Sequence, residues 1–361
     1  MKTGNTKLLV TFVAAVIIIA GTLTIYSTMS RNGEDMTLYE VVDGAGNKIA
    51  LDEVPERIVS MDAISTEMLC ELGFTKNIVG VSSNEGVHNV TDFIYGLGFD
   101  IWYPNELLDQ IAKGKTVLVG SSTQWTTDQV LNCNPDLVVF SSTANNIAKM
   151  KALQEMGITC IVSFNPVEEI ETIYSNMEIL GKALGKSDRA KQFNDGMREI
   201  VEFIYETCNG FEGKDVIMVS APGTAYYAYG ETNLKHVVLR AMGCTTNMAG
   251  TATGIVTAEH FLQKQPDIII FDPMGNTMNM STLKETLEAD PLWSDVNAMK
   301  NNKAYYLEYS VYQASGYYSH HFVHGIAMMA TIVFEELNVE VPQLVEDDRY
   351  LDYISWLDRE H

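Results

Sequence analysis

The sequence predicts an α/β protein of two lobes built on mostly parallel sheets. Three observations carry that expectation. The chain has 361 residues, more than one average domain and enough for two substantial cores. Short apolar runs alternate with stretches of helical spacing along most of it, the pattern of parallel sheets covered on both faces. The two halves also repeat one order of elements: a helical stretch ends near Asn134-Pro135-Asp136 or Gln265-Pro266-Asp267, and an apolar strand follows directly.

The elements follow in order. Lys2 and Lys7 precede an apolar run from Leu8 to Tyr26, close to the roughly 20 residues that span a bilayer as a helix. Residues 1–30 therefore read as a signal peptide or an N-terminal transmembrane anchor. Basic residues before the run and Glu34 and Asp35 after it place the rest of the chain outside the cytoplasm. The absence of a clear A-x-A site favours the uncleaved anchor. The run from Thr37 to Leu51 holds two β-like segments around Asp43-Gly44-Ala45-Gly46, a hairpin signal. Ile58 and Val59 suit a buried strand, and Ser65 and Thr66 precede the helical spacing of Met68, Leu69 and Leu72. Strands at 77–82, 116–120, 136–142 and 158–164, with the helical WTTDQVLNCN and IAKMKALQEMG between them, complete an N-terminal lobe over 37–166. The insertion at 91–113, with Trp102 and Tyr103, has no legible period.

Residues 167–205 form a linking region of two helical stretches, the first of which, Val167 to Gly185, is long enough to bridge two lobes. Strands at 215–221, 267–273 and 303–308 and helical segments between them, with a last helix over 318–337, make a C-terminal lobe over 206–345. Residues 346–361 are left as a C-terminal tail.

The formal net charge is −23, from 47 acidic and 24 basic residues, and a chain so acidic repels polyphosphate, so nucleic acid is excluded as a partner. Five cysteines, Cys70, Cys133, Cys160, Cys208 and Cys244, are widely spaced and mostly embedded in apolar runs, as expected of buried thiols. None lies just after the apolar segment, so a lipid-modified cysteine is not the anchor.

Four landmarks then carry a family likeness. The run VPERIVSMDAISTEMLCELGFTKNIVGVSS, the segment DQVLNCNPDLVVFS, the stretch ILGKALGKSDRAKQF, and GIVTAEHFLQKQPDIIIF followed by DPLWSDVNAMKNNKAYYLE resemble, in order, the iron-siderophore, haem and cobalamin binding proteins of ABC importers. The likeness covers most of residues 37–340. It implies two Rossmann-like lobes joined by a single long α-helix, with a ligand cleft between them. It implies a binding protein rather than an enzyme, extracytoplasmic and membrane-tethered. Its partners would be an ABC permease with its ATPase and a small metal complex. It would be a monomer with no cofactor of its own, its ligand carrying Fe or Co. By the same resemblance, Asp128 in WTTDQVLNCNPD and Glu259 in VTAEHFLQKQPD match acids that dock onto arginines of the permease. A carboxylate–guanidinium contact suits that role. An acid in the first turn of a helix is also favoured by the macrodipole alone.

Ligand contacts are expected in loops after the C-terminal ends of strands, here 82–89, 121–125, 221–233, 272–280 and 310–321. These loops offer Trp125, Tyr226, Tyr227, Tyr229, Tyr312, Tyr317 and Tyr318, flat rings with a polar tip that suit a macrocycle or aromatic chelate. Met274 and Met278, with Met280, supply soft thioethers that line a wall or ligate haem iron. His321 lies beside His320 and His324, a pair at i, i+4 spacing. The alternatives are a zinc- or manganese-binding importer protein, which needs about three His and a carboxylate where only His88, His236 and His260 precede residue 320, and a chelatase-like enzyme. No G-x-S-x-G, H-E-x-x-H or G-x-G-x-x-G occurs, and GKALGKS at 181–187 follows Leu180, where a phosphate loop needs Gly.

Overall fold

Runs such as Leu137–Ser141 and Ile268–Asp272 are apolar at successive positions because the strands they form are buried on both faces. The structure, a computed structural model, describes residues 39–83, 103–121, 124–142, 144–164, 169–208, 213–220, 226–250, 252–272, 280–307, 322–334 and 354–356. All belong to one compact unit, Tyr39–His361. The apolar segment at 8–26 lies outside them, and among the described residues no helix is long and apolar enough to cross a membrane.

The expected hairpin forms from β1 (Tyr39–Val42) and β2 (Lys48–Leu51), paired antiparallel. Buried Asp43 holds its turn, accepting from the Ala45 and Asn47 amides at 3.0 and 2.8 Å, and it ties the hairpin to the next sheet by accepting from Val162 N–H at 3.1 Å. That sheet is parallel throughout, in the order β5 (Val117–Ser121), β4 (Ile78–Ser83), β3 (Ile58–Ser60), β6 (Leu137–Ser141) and β7 (Thr159–Phe164). Its crossovers include α1 (Ala63–Glu71), α2 (Asn105–Ala112), α3 (Thr127–Leu131) and α4 (Ala144–Glu155). Helix α2 lies in the insertion whose pattern was not legible.

Between the two larger sheets the chain runs through two helices, α5 (Ile170–Ala183) and α6 (Ser187–Cys208), the second being the longer at 22 residues. Gly185 turns the chain between them with φ +65°. The second sheet has the order β10 (Gly254–Val256), β9 (Tyr226–Ala228), β8 (Val216–Ser220), β11 (Ile268–Asp272), β12 (Ala304–Leu307) and β13 (Ile354–Trp356). Its central strands β8, β11 and β12 are parallel, but β9, β10 and β13 pair antiparallel, so this sheet is mixed. The reason for β9 is connection length. Only residues 221–225 separate it from β8, far short of the dozen or more a parallel crossover needs. Residues 226–228, expected in a loop, are therefore strand, and the segment expected as a tail supplies β13. Helices α7 (Leu234–Ala241), α8 (Ala258–Lys264), α9 (Met280–Ala289), α10 (Asn297–Lys300) and α11 (Phe322–Val333) accompany this sheet.

Alternation of side chains divides each sheet between two cores. Ile58, Leu137, Val139 and Ile161 join Val216, Met218, Ile268 and Ile270 in one continuous apolar cluster that includes α5, α6 and α11. On the opposite faces, Val59, Val138, Phe140 and Val162 pack with Trp125, and Ile217, Val219, Ile269 and Phe271 pack with Phe261 and Trp293.

Candidate functional site

Six of the eight parallel strands carry a serine at or next to their carboxyl ends. Ser60, Ser83, Ser121 and Ser141 close β3, β4, β5 and β6, Ser220 closes β8, and Ser163 is the penultimate residue of β7. In the first sheet the hydroxyls of Ser60, Ser141 and Ser163 are spent on local structure. Asp62 caps α1, accepting from Ser65 N–H at 2.7 Å and Ser65 Oγ at 2.8 Å, and Ser65 Oγ lies 2.6 Å from Ser163 Oγ. Thr66 Oγ1 donates to Ser60 Oγ at 2.8 Å. Burial pushes the Asp62 carboxyl up to about 6, against the two Ser65 donors that favour its charge.

Trp125 is buried, its ring 5.5 Å from Phe140. Its indole N–H donates to Asn146 Oδ1 at 3.1 Å, and Asn146 Nδ2 donates to Ser141 Oγ at 2.9 Å. Lys149 Nζ donates to Trp125 O at 2.6 Å and lies 4.6 Å from the ring centroid. Close approach at Gly120 makes this possible. Its φ is +91°, and a Cβ there would stand 2.5 Å from Gln124 O.

In the second sheet Tyr226 is also a core residue, with ring centroids 5.3 Å from Trp293 and 6.2 Å from Phe271, and burial raises its phenol pKa. Tyr227, the next residue, points to the opposite face and is half-buried, as is Tyr229. Buried Lys235 places its ammonium 4.2 Å from the Tyr229 ring centroid. His236 is fully buried. Its Nε2 accepts from Met218 N–H at 3.1 Å, which leaves Nδ1–H to donate to Gly230 O at 3.2 Å, and burial lowers its pKa to about 4. It is a neutral structural histidine.

Asp128 and Glu259 occupy matching places, each the second residue of a short helix entered through a threonine, Thr126 for α3 and Thr257 for α8. Both are exposed. Gln129 Oε1 accepts from Thr126 N–H at 2.8 Å, and His260 Nδ1 accepts from Thr257 N–H at 3.1 Å. The Glu259 carboxylate accepts from Thr257 Oγ, which together with its own backbone N–H holds its pKa below the usual range.

Met274, Met278, Tyr312, Tyr317, Tyr318, His320 and His321 lie outside the described residues, and His324 falls within α11. Among the described residues no group of three or more His, Cys, Asp or Glu is placed to hold a metal ion. The five cysteines are unpaired, four of them buried, and burial pushes Cys160 and Cys244 up to about 12. A groove of about 770 Å³ lies between the hairpin and α5, lined by Glu40, Asp43, Glu171, Asn176, Glu178 and Lys182 among others. The serine row was missed in the sequence reading, though a Ser at or next to the end of six apolar runs was there to be seen.

Residues 58–310 match the profile of a family described as periplasmic binding protein. An uncharacterised ABC transporter substrate-binding lipoprotein of Bacillus subtilis is 25% identical over 76% of this chain and 80% of its own length. A petrobactin-binding protein of the same organism is 23% identical over 78% of this chain and 83% of its own. The solved structure of a periplasmic haem-binding protein from Roseiflexus sp. RS-1 superposes with a TM-score of 0.62 at 16% identity, covering 78% of this chain and 98% of that one. That likeness establishes the two-sheet α/β fold.

Proposed function

The chain belongs to the periplasmic binding protein family, and from that premise we propose that it is the extracytoplasmic substrate-binding component of an ABC importer for a metal complex, a ferric siderophore, haem or a corrinoid. The observation that carries the reading is the extent of the family match, which runs from β3 through β12 and so takes in every strand of the two large sheets except β13. The relatives' own ligand, petrobactin in one case and haem in another, supports the class. The protein binds and does no chemistry. Leu8 to Tyr26 tethers it to the membrane, and a permease with its ATPase receives it there as a monomer.

Within this proposal the ligand meets Tyr227 and Tyr229, the part-exposed members of the aromatic group, and Met274, Met278, Tyr312, Tyr317, Tyr318 and His321 complete the wall. Trp125 and Tyr226 back the site from the two cores. Asp128 and Glu259 are the docking acids, charged, exposed and equivalent in the two halves. The protein needs no cofactor of its own, since the metal arrives with the ligand.

The test is an absorbance titration of the full chain in detergent with haemin, cyanocobalamin and a ferric catecholate. Binding of one of them, at one per chain with Kd of about 1 μM or tighter, is the expected result. Tight binding of free Zn²⁺ with none of the three bound would overturn the reading.

A further inference from the structure

Ser220 differs from the three serines of the row whose hydroxyl bonds are described, Ser60, Ser141 and Ser163. It is 1% exposed, and its Oγ has no hydrogen-bond partner, whereas the hydroxyls of Ser60, Ser141 and Ser163 are all engaged. A buried, unpaired hydroxyl carries the full cost of leaving water, so it calls for a partner that the free protein lacks. Its surroundings are set by strand register. Ser220 stands directly opposite Tyr227 on β9, and Tyr227 stands directly opposite Ile255 on β10. Directly paired residues of antiparallel strands present their side chains on one face. Tyr226 and Ala228 point into the core on the other face, which fixes the side these three share.

The result is a row of three side chains across the carboxyl end of the sheet, graded from buried hydroxyl through half-buried phenol to Ile255, which is 65% exposed. Among the described residues Ile255 is the most exposed of the large hydrophobic side chains. The position is the one where open α/β sheets hold ligands, beyond the carboxyl ends of their strands.

Resting on the function proposed above, we propose that Ser220, Tyr227 and Ile255 form one contact strip of the second sheet. It takes a ring-faced, largely apolar chelate that carries an oxygen acceptor on its rim. Ile255 receives the apolar edge, the Tyr227 ring lies against the flat face, and Ser220 donates its hydroxyl proton to the rim oxygen. Because Ser220 is closed off in the free protein, movement of the neighbouring Tyr227 ring admits the ligand to it.

The strip makes Ser220→Ala a variant with two opposite effects, read on the full chain with haemin, cyanocobalamin and ferric catecholate. Removal of an unpaired buried hydroxyl should raise the melting temperature of the free protein, and loss of the donor should weaken whichever chelate the unaltered protein binds by roughly three- to tenfold. Ile255→Asp alters an exposed side chain and leaves folding intact, and it should weaken the same chelate by roughly tenfold or more. A Ser220→Ala protein that is more stable but binds with unchanged affinity, or an Ile255→Asp protein with unchanged affinity, overturns the strip and leaves the importer function standing. If the unaltered protein binds none of the three chelates, the function proposed above fails first and the strip fails with it.

Discussion

The indole N–H of Trp125 donates to Oδ1 of Asn146 at 3.1 Å, a bond that ties the loop before α3 to the first turn of α4. Both residues are buried. Trp125→Phe would leave the Asn146 acceptor without this donor and open space beside Phe140. The expected cost is about 1–3 kcal/mol of unfolding free energy, read as a lower urea midpoint with an unchanged slope. The Trp125 emission, isolated by difference between the two proteins, should be blue-shifted and shielded from iodide. An unchanged midpoint would place the ring in water rather than in the core.

Gly120 enables that contact, since its φ of +91° and the 2.5 Å approach to Gln124 O both exclude a side chain. Gly120→Ala should cost at least about 2 kcal/mol, from strain and from displacement of the 124–125 backbone. Equilibrium denaturation of the variant measures this, and stability equal to that of the unaltered chain would contradict the close approach.

Two buried groups set opposing pH dependences. Asp62 titrates at about 6 when folded against an ordinary value of 3.8, so its contribution to stability is fully present below 3.8 and is lost as pH rises through 6. His236 titrates at about 4 when folded against 6.5, so its contribution is present above 6.5 and is lost as pH falls through 4. At 1.36 kcal/mol per unit each is worth about 3 kcal/mol, and they largely cancel between pH 4 and 6.5. Asp62→Asn, which keeps a capping side chain, should unmask a loss of stability on acidification. His236→Gln should instead leave a gain on acidification. Parallel pH profiles in both variants would refute the assignment of these two groups.

Docking and ligand binding should come apart. Asp128→Ala combined with Glu259→Ala is expected to abolish uptake while ligand affinity stays within a few-fold, since both carboxylates are exposed. Transport in whole cells beside titration of the purified variant gives the two readings. Equal loss of both would put these acids in the ligand site or the fold, and unchanged uptake would reduce them to helix-start residues.

Legibility varied with how each segment is buried. The strands Leu137–Ser141, Val216–Ser220 and Ile268–Asp272 were plain because burial on both faces demands unbroken apolar runs. The strands Tyr226–Ala228, Gly254–Val256 and Ile354–Trp356 were not, because a three-residue antiparallel strand holds too few positions to show a period. Asp128 and Glu259 were found through resemblance, and their shared place behind a threonine cap was already written in WTTD and VTAE.

The sequence by itself determined the α/β class, the acidic charge and the mostly buried thiols, since each depends on residue type and local spacing. Only the tertiary structure decided that neighbours in the aromatic group part company, Tyr226 entering the core and Tyr227 facing the other side. It also set Ser220 beside Tyr227 and Tyr227 beside Ile255, residues up to 35 positions apart in the chain. Register makes that difference. Side chains alternate with a period of two, so a slip of one residue in either pairing would turn Tyr227 into the core and separate the three, and the register is fixed by which faces of the strands the packed core buries.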